Sequence, residues 1–186
     1  MKKSTIILIV IAVVAVIWGV SAYNGLVTMD ENVNTEWANV ETQYQRRADL
    51  IPNLVNTVKG YAAHESETLE SVIAARSKAT QITVDPSNLT PEKLAEYQEA
   101  QGAVTSALGK LLAISESYPD LKANQNFLEL QAQLEGTENR INEARRKFNN
   151  VAKEYNTAIR RFPKSILAGM FGFDKRAYFE RSEERR

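Results

Sequence analysis

Cysteine is absent from this sequence. That excludes disulfides, thiolate nucleophiles and thiolate-ligated metals, and leaves redox chemistry silent on which side of a membrane the chain works. Histidine occurs once, at His64, and the position four residues on is Thr68, so the paired histidines of a zinc-protease helix cannot form. His64 therefore reads as an exposed helical side chain, and no metal or cofactor site is expected. Glycine (8) and proline (5) are scarce among 186 residues, which disfavours a turn-rich β architecture. Gly102 and Gly109 lie in a helical stretch with no Lys-Ser/Thr pair behind them, so there is no phosphate loop. The 23 basic residues balance the 23 acidic ones, and no global charge points to nucleic acid. Carboxylates are spread as surface pairs such as Glu143 with Lys147, the habit of a solvated helix. What remains is a non-enzymatic reading.

What the chain does have is one long apolar run. Ile6–Trp18 is thirteen apolar residues in a row, and no acid appears before Asp30. Ser4–Tyr23 would span roughly 30 Å as a helix, the thickness of a bilayer core. Trp18 and Tyr23 fall where an interfacial aromatic belt forms. Val20-Ser21-Ala22 offers a small-residue cleavage site, so a removed signal peptide is the alternative; the run is long for a signal core, and a retained anchor is the expectation. Lys2 and Lys3 precede the run, whereas Asp30, Glu31, Glu36 and Glu41 follow it. The positive-inside rule then keeps the N-terminus cytoplasmic and exports the domain. The expected organisation is a short N-terminus (1–3), a transmembrane helix (4–23), a helical bundle (24–163) and an apolar, then charged, tail (164–186).

The bundle announces itself by heptads. Phe127, Leu134, Ile141, Phe148, Tyr155 and Phe162 are spaced by sevens, with Leu130, Thr137, Ala144, Val151 and Ala158 three residues after the first five. This period of 3.5 belongs to left-handed helix packing and predicts a helix over about 120–161, ~63 Å long, stopped by Pro163. Val33, Val40, Leu54 and Tyr61 form one earlier row, and Trp37, Tyr44, Ile51, Val58 and Val72 another. They pass through Pro52 in phase, as one helix kinked at proline or as a second helix capped by Asp49; the kinked helix is favoured. A third helix starts at Thr90-Pro91-Glu92 and buries Leu94, Tyr97, Val104, Leu108 and Leu111, while Ala100, Gly102, Ala103, Ala107 and Gly109 keep it slim. Short connections at 83–89 and 117–120 make neighbours antiparallel. The fold class is thus all-α: a transmembrane helix, then an antiparallel up-and-down bundle of long coiled-coil-like helices. The apolar segment Ile166–Phe173 is too short to span a bilayer; it covers the bundle or, alternatively, enters lipid or a partner.

Two charged features stand out. Arg47 occupies a core position of the heptad beside Pro52, in the run Arg46-Arg47-Ala48-Asp49. A buried guanidinium must find acceptors, from carbonyls freed by Pro52 or from Glu135 or Glu138. Arg46, Arg47, Asp49, Pro52 and Glu138 are accordingly the candidate structural and interaction residues. The second is a basic helix end: residues 140–164 hold eight cations against Glu143 and Glu154. Arg140, Arg145, Arg146, Arg160 and Arg161 form the candidate basic surface, suited to anionic lipid or an acidic partner, or simply to solvent.

The sequence resembles the bacterial LemA family. The resemblance is carried by Tyr23-Asn24-Gly25-Leu26-Val27, by Trp37, and by Gln43-Tyr44-Gln45-Arg46-Arg47-Ala48-Asp49-Leu50-Ile51-Pro52-Asn53-Leu54-Val55. It continues in Val58-Lys59-Gly60-Tyr61, His64-Glu65, Tyr118-Pro119-Asp120-Leu121-Lys122-Ala123-Asn124, the run Leu134 to Ile141, Tyr155-Asn156 and Phe162-Pro163. Phe148-Asn149 departs from it, since the family more often has Tyr-Asn there. The resemblance implies an N-terminally anchored protein of the bacterial inner or plasma membrane with an antiparallel helical bundle, in a family linked to membrane remodelling in some bacteria and without an established catalytic activity. The functional expectation is a scaffold or adaptor that touches the lipid bilayer, forms a homo-oligomer and docks a membrane-protein partner. The alternative is a membrane-proximal sensor holding an anionic ligand near Arg47 and His64.

Overall fold

α1 runs without a break from Lys3 to Lys59, and Pro52 lies inside it. The computed structural model describes residues 3–179; Met1, Lys2 and the charged end after Phe179 lie outside the described residues. The N-terminal part of α1 is long and apolar enough to cross a membrane, and its large apolar side chains from Ile6 to Ile17 are exposed. Burial begins at Ala22 and Leu26 and then follows the heptad: Val33, Trp37, Val40, Tyr44, Arg47, Ile51, Leu54 and Val58 all point inward.

The chain turns back at 60–65 into α2 (Ser66–Gln81), crosses a single 3-10 turn and enters α3 (Pro91–Ile114). The heptad rows run straight through the first of these turns and give no sign of it. Val72 keeps its buried place on α2, but Tyr61 lies in the turn, exposed, and its hydroxyl accepts a 2.9 Å bond from Asn124 Nδ2. Thr90 caps α3 as expected, accepting from the Lys93 N–H. The glycines of α3 do not serve close approach: a Cβ at Gly102 or Gly109 would meet open space, and only Ala100 and Ala107 of the small residues are buried.

After a short α4 (Pro119–Lys122) comes α5 (Gln125–Arg160). The long helix starts later than the heptad suggested because Asn124 breaks it, its side chain capping the Phe127 N–H at 3.0 Å. α5 lies antiparallel along α1: Asn124, just before α5, meets Tyr61, just past α1; Glu138 meets Arg47; and Asn156 holds Arg176, which reaches back to Asp30. All its predicted first-row residues are buried except Phe162, which lies beyond the helix end and is exposed. The described residues contain no strand, and the fold is the all-helical, up-and-down bundle. α6 (Lys164–Phe171) then packs beside the start of the buried part of α1, and residues 173–179 run extended along the bundle.

The core divides in two. A proximal cluster, nearest the apolar end of α1, holds Leu26, Trp37, Tyr44, Tyr97, Phe148, Tyr155 and Phe179. A distal cluster holds Ile51, Leu54, Val58, Val72, Val104, Leu111, Phe127 and Leu134. A polar layer lies between them.

Candidate functional site

That layer is built on Arg47, whose heptad position sends its side chain inward and leaves it 2% exposed. Its guanidinium reaches two other helices. Nη1 donates to Glu138 Oε1 on α5 at 2.5 Å and to Thr105 Oγ1 on α3 at 2.7 Å. Nη2 donates to the Gln101 carbonyl at 3.0 Å and to Gln101 Oε1 at 2.7 Å. The Tyr44 ring lies 5.1 Å from the guanidinium carbon. A charge this deep is tolerable because it is both paired and hydrogen-bonded, and removing one member would leave the other stranded. Of the two carboxylates proposed from sequence, Glu138 is the partner; Glu135 accepts from Gln131 one turn away.

Pro52 acts through a different arginine. Proline lacks the N–H that would bond the Ala48 carbonyl, so that oxygen is left without its helical donor. Arg76 on α2 supplies it, Nε donating at 2.7 Å. The proline therefore creates a docking point for α2 on α1, and Arg47 takes no part in it. Arg46 and Asp49 are exposed; Asp49 accepts from Gln45 Nε2 at 2.7 Å, and neither side chain joins the buried layer.

A cleft of about 650 Å³ opens beside the layer, with Glu41, Arg46, Arg47, Asp49, Arg76 and Gln101 among its lining residues. Burial pushes the Glu41 carboxyl above its usual range, and the neighbouring Trp37 indole offsets only part of that. Burial likewise raises the Tyr44 and Tyr97 phenols above their ordinary range. His64 is exposed in the turn after α1 and does not line the cleft, so Arg47 and His64 are not brought together. Among the described residues no group of three or more His, Asp or Glu side chains could hold a metal ion.

The feature that sequence reasoning missed is the clasp of the tail. Asn156 and Asn149, one heptad apart on α5, each bond the extended segment twice. Asn156 accepts from the Arg176 N–H and donates to its carbonyl, both at 2.8 Å. Asn149 does the same with Phe179, both at 2.9 Å. Arg176 then turns inward to Asp30 Oδ1 at 2.6 Å and also donates to the Ser87 carbonyl. Burial and the Asp30 carboxylate beside it push the Tyr155 phenol up to about 12. Phe179 stacks on Trp37 with centroids 5.7 Å apart and meets Phe148 edge-on at 5.5 Å. Arg145 lies over the Phe179 ring at 4.7 Å, so it belongs to this clasp rather than to a free basic surface. Arg140, Arg146, Arg160 and Arg161 are exposed, on the outside of the bundle. The amide pairs Phe148-Asn149 and Tyr155-Asn156 were the available signal.

A sequence model described as the LemA family matches residues 36–186. The magnetosome protein MamQ of Magnetospirillum gryphiswaldense is 30% identical over 174 residues, covering 84% of this chain and 64% of its own length. Magnetosome protein MamQ 2 of Paramagnetospirillum magneticum is 28% identical, over 93% of this chain and 71% of its own. Protein LemA of Metamycoplasma hominis is 27% identical, over 77% of this chain and 62% of its own. The chain thus spans about two thirds of the length of the curated relatives it matches.

Proposed function

The chain belongs to the LemA family, and from that premise we propose that it is a non-enzymatic, membrane-anchored scaffold or adaptor that self-associates or docks membrane-protein partners. The observation that carries this reading is the unbroken α1: one helix of 57 residues is both the apolar segment and a wall of the bundle. A flexible tether would let the domain wander. A continuous helix fixes how the bundle stands on the bilayer and presents the same outer faces to every neighbour. The magnetosome relatives support a role in membrane organisation or remodelling.

In this reading the anchor is retained in a bacterial inner or plasma membrane, the N-terminus is cytoplasmic, the bundle is extracytoplasmic, and its helices meet copies or partners through coiled-coil-like faces. Crosslinking in the membrane, followed by gentle purification of the intact protein, tests it. Discrete homo-oligomers or a stoichiometric membrane partner are expected; a strictly monomeric particle in mild detergent at high concentration counts against it. Because the chain has no cysteine, a Gln133→Cys variant treated in intact cells with an impermeant thiol reagent reads the orientation. Labelling is expected, and protection until the membrane is broken reverses the assignment.

A second reading is favoured by the cleft of about 650 Å³ beside the polar layer. There a small anion would meet Arg46 and Arg76, since Arg47 has committed its terminal nitrogens to protein partners. Titration with inorganic phosphate, followed by NMR, separates the readings: shifts confined to the cleft lining support a ligand module, and none leaves the scaffold alone.

A further inference from the structure

α6 leaves an apolar face uncovered. On it Met170 is 72% exposed and Ile166 and Phe171 above half, and Phe162, two residues before the helix, is 81% exposed. Exposed large apolar groups gathered this closely mark a surface that meets something other than water. Their position says what. The Phe171 and Phe173 rings contact Tyr23 on α1, with centroids 4.8 and 5.8 Å away. Tyr23 stands beside Ala22, the first buried residue of α1. The uncovered face is therefore continuous with the lipid-facing side of the helix and lies at the level where that helix would leave the bilayer.

Charge points the same way. A cleft of about 750 Å³ opens at this level between α1 and the end of α5, with Trp18, Met29, Lys153, Arg161, Phe162 and Lys164 in its wall. Glu154 is the one carboxylate lining it, against those three cations. Neither Lys153, Arg161, Lys164 nor the adjacent Arg160 forms an ion pair among the described residues. Cations at the rim of an apolar surface, with an aromatic belt beside them, are the chemistry that anionic phospholipid headgroups satisfy.

We propose that α6 and the basic end of α5 form a foot that dips its apolar side chains into the interface of the same bilayer α1 enters, with Lys153, Arg161 and Lys164 receiving the headgroup of an anionic phospholipid. The foot rests on the reading of α1 as a retained anchor. It converts a single-helix attachment into a two-point stance. It also explains why residues 173–179 are clasped so firmly. With Asn149 and Asn156 holding the segment that follows α6, the foot cannot swing away from the membrane exit.

Full-length single-cysteine variants carrying a polarity-sensitive fluorophore test this in vesicles of phosphatidylcholine with or without phosphatidylglycerol. Met170→Cys reports the foot, Val13→Cys the anchor, and Gln133→Cys the far bundle. Lipids spin-labelled near the headgroup are expected to quench the Met170 probe and leave the Gln133 probe untouched. A Met170 probe as unquenched as that at Gln133, while lipids spin-labelled deep in the chain quench Val13, overturns the foot and keeps the anchor. An unquenched Val13 probe overturns the anchor, and the foot falls with it. In the second arm, headgroup-labelled phosphatidylglycerol should quench Met170 more strongly than labelled phosphatidylcholine. Arg161→Gln with Lys164→Gln should reduce that preference, by up to about fivefold per cation. An unchanged preference overturns the headgroup assignment.

Discussion

The two ends of the bundle are held by different means. The proximal core is rich in rings: Trp37, Tyr44, Tyr97, Phe148, Tyr155 and Phe179 gather among Leu26, Val33, Val40 and Ile141, and most of the rings meet edge-on or stacked. At the far end the core is made of Ile51, Leu54, Val55, Val58, Val72, Val104 and Leu108, with Phe127 as its aromatic. There the turns are tied instead, Tyr118 to Glu65 and Asn124 to Tyr61. Rings offer large areas and directional contacts to a segment that arrives from elsewhere in the chain. Aliphatic side chains suit helices that are already neighbours through short turns. Two of the proximal rings, Trp37 and Phe148, hold Phe179 of the tail segment, and the distal cluster holds no residue of that segment.

The polar layer between them is where the comparison breaks most readily. Glu138→Ala strands the Arg47 charge at the boundary of the two clusters and should cost about 3 kcal/mol, the low end for such pairs because Glu138 is partly exposed. Replacing the pair together, Arg47→Met with Glu138→Leu, should recover most of it, and urea unfolding of the purified protein reads both. If the single variant unfolds with the wild type, the layer does not join the two halves. Phe179→Ala sharpens the contrast from one side. A core phenylalanine removal usually costs about 3–5 kcal/mol, but a terminal segment can lift off, so about 2 kcal/mol is expected. Hydrogen exchange should quicken around Trp37 and Phe148 and stay unchanged around Val58 and Leu111. Uniform quickening would mean that the two clusters unfold as one.

The heptad rows were legible because burial on paired helices is periodic, and even Arg47 showed itself by occupying a core position. What escaped was set by polar groups whose partners are remote in sequence. Asn149 and Asn156 look like ordinary surface amides until residues 176 and 179 are laid against them. Pro52 signals a free carbonyl, but nothing near it in sequence names Arg76 as the donor. The membrane exit is the clearest case. The linear sequence there is acidic, with Asp30 and Glu31; the fold pairs Asp30 with Arg176 and brings Lys153, Arg161 and Lys164 to the level of Trp18.

The gentlest probe of the proximal half is pH, through Glu41 on the rim of the cleft. Its carboxyl is raised first by burial, so the folded protein holds that proton more tightly than the unfolded chain does. Between the unfolded and folded pKa values the native state then binds more protons, and stability falls as pH rises. The contribution from this group is fully present below the ordinary carboxylate range and is lost as pH climbs through the raised folded value. Glu41→Gln removes the ionisation while keeping the shape, so its unfolding free energy should decline less than that of the wild type from about pH 4 to pH 7. The difference should be small, since Glu41 is only half-buried and solvent screens much of its charge. Parallel curves for the two proteins would mean that the carboxylate is already well hydrated in the folded state, and that the cleft beside Arg47 is a wet notch between two dry clusters rather than an edge of the proximal one.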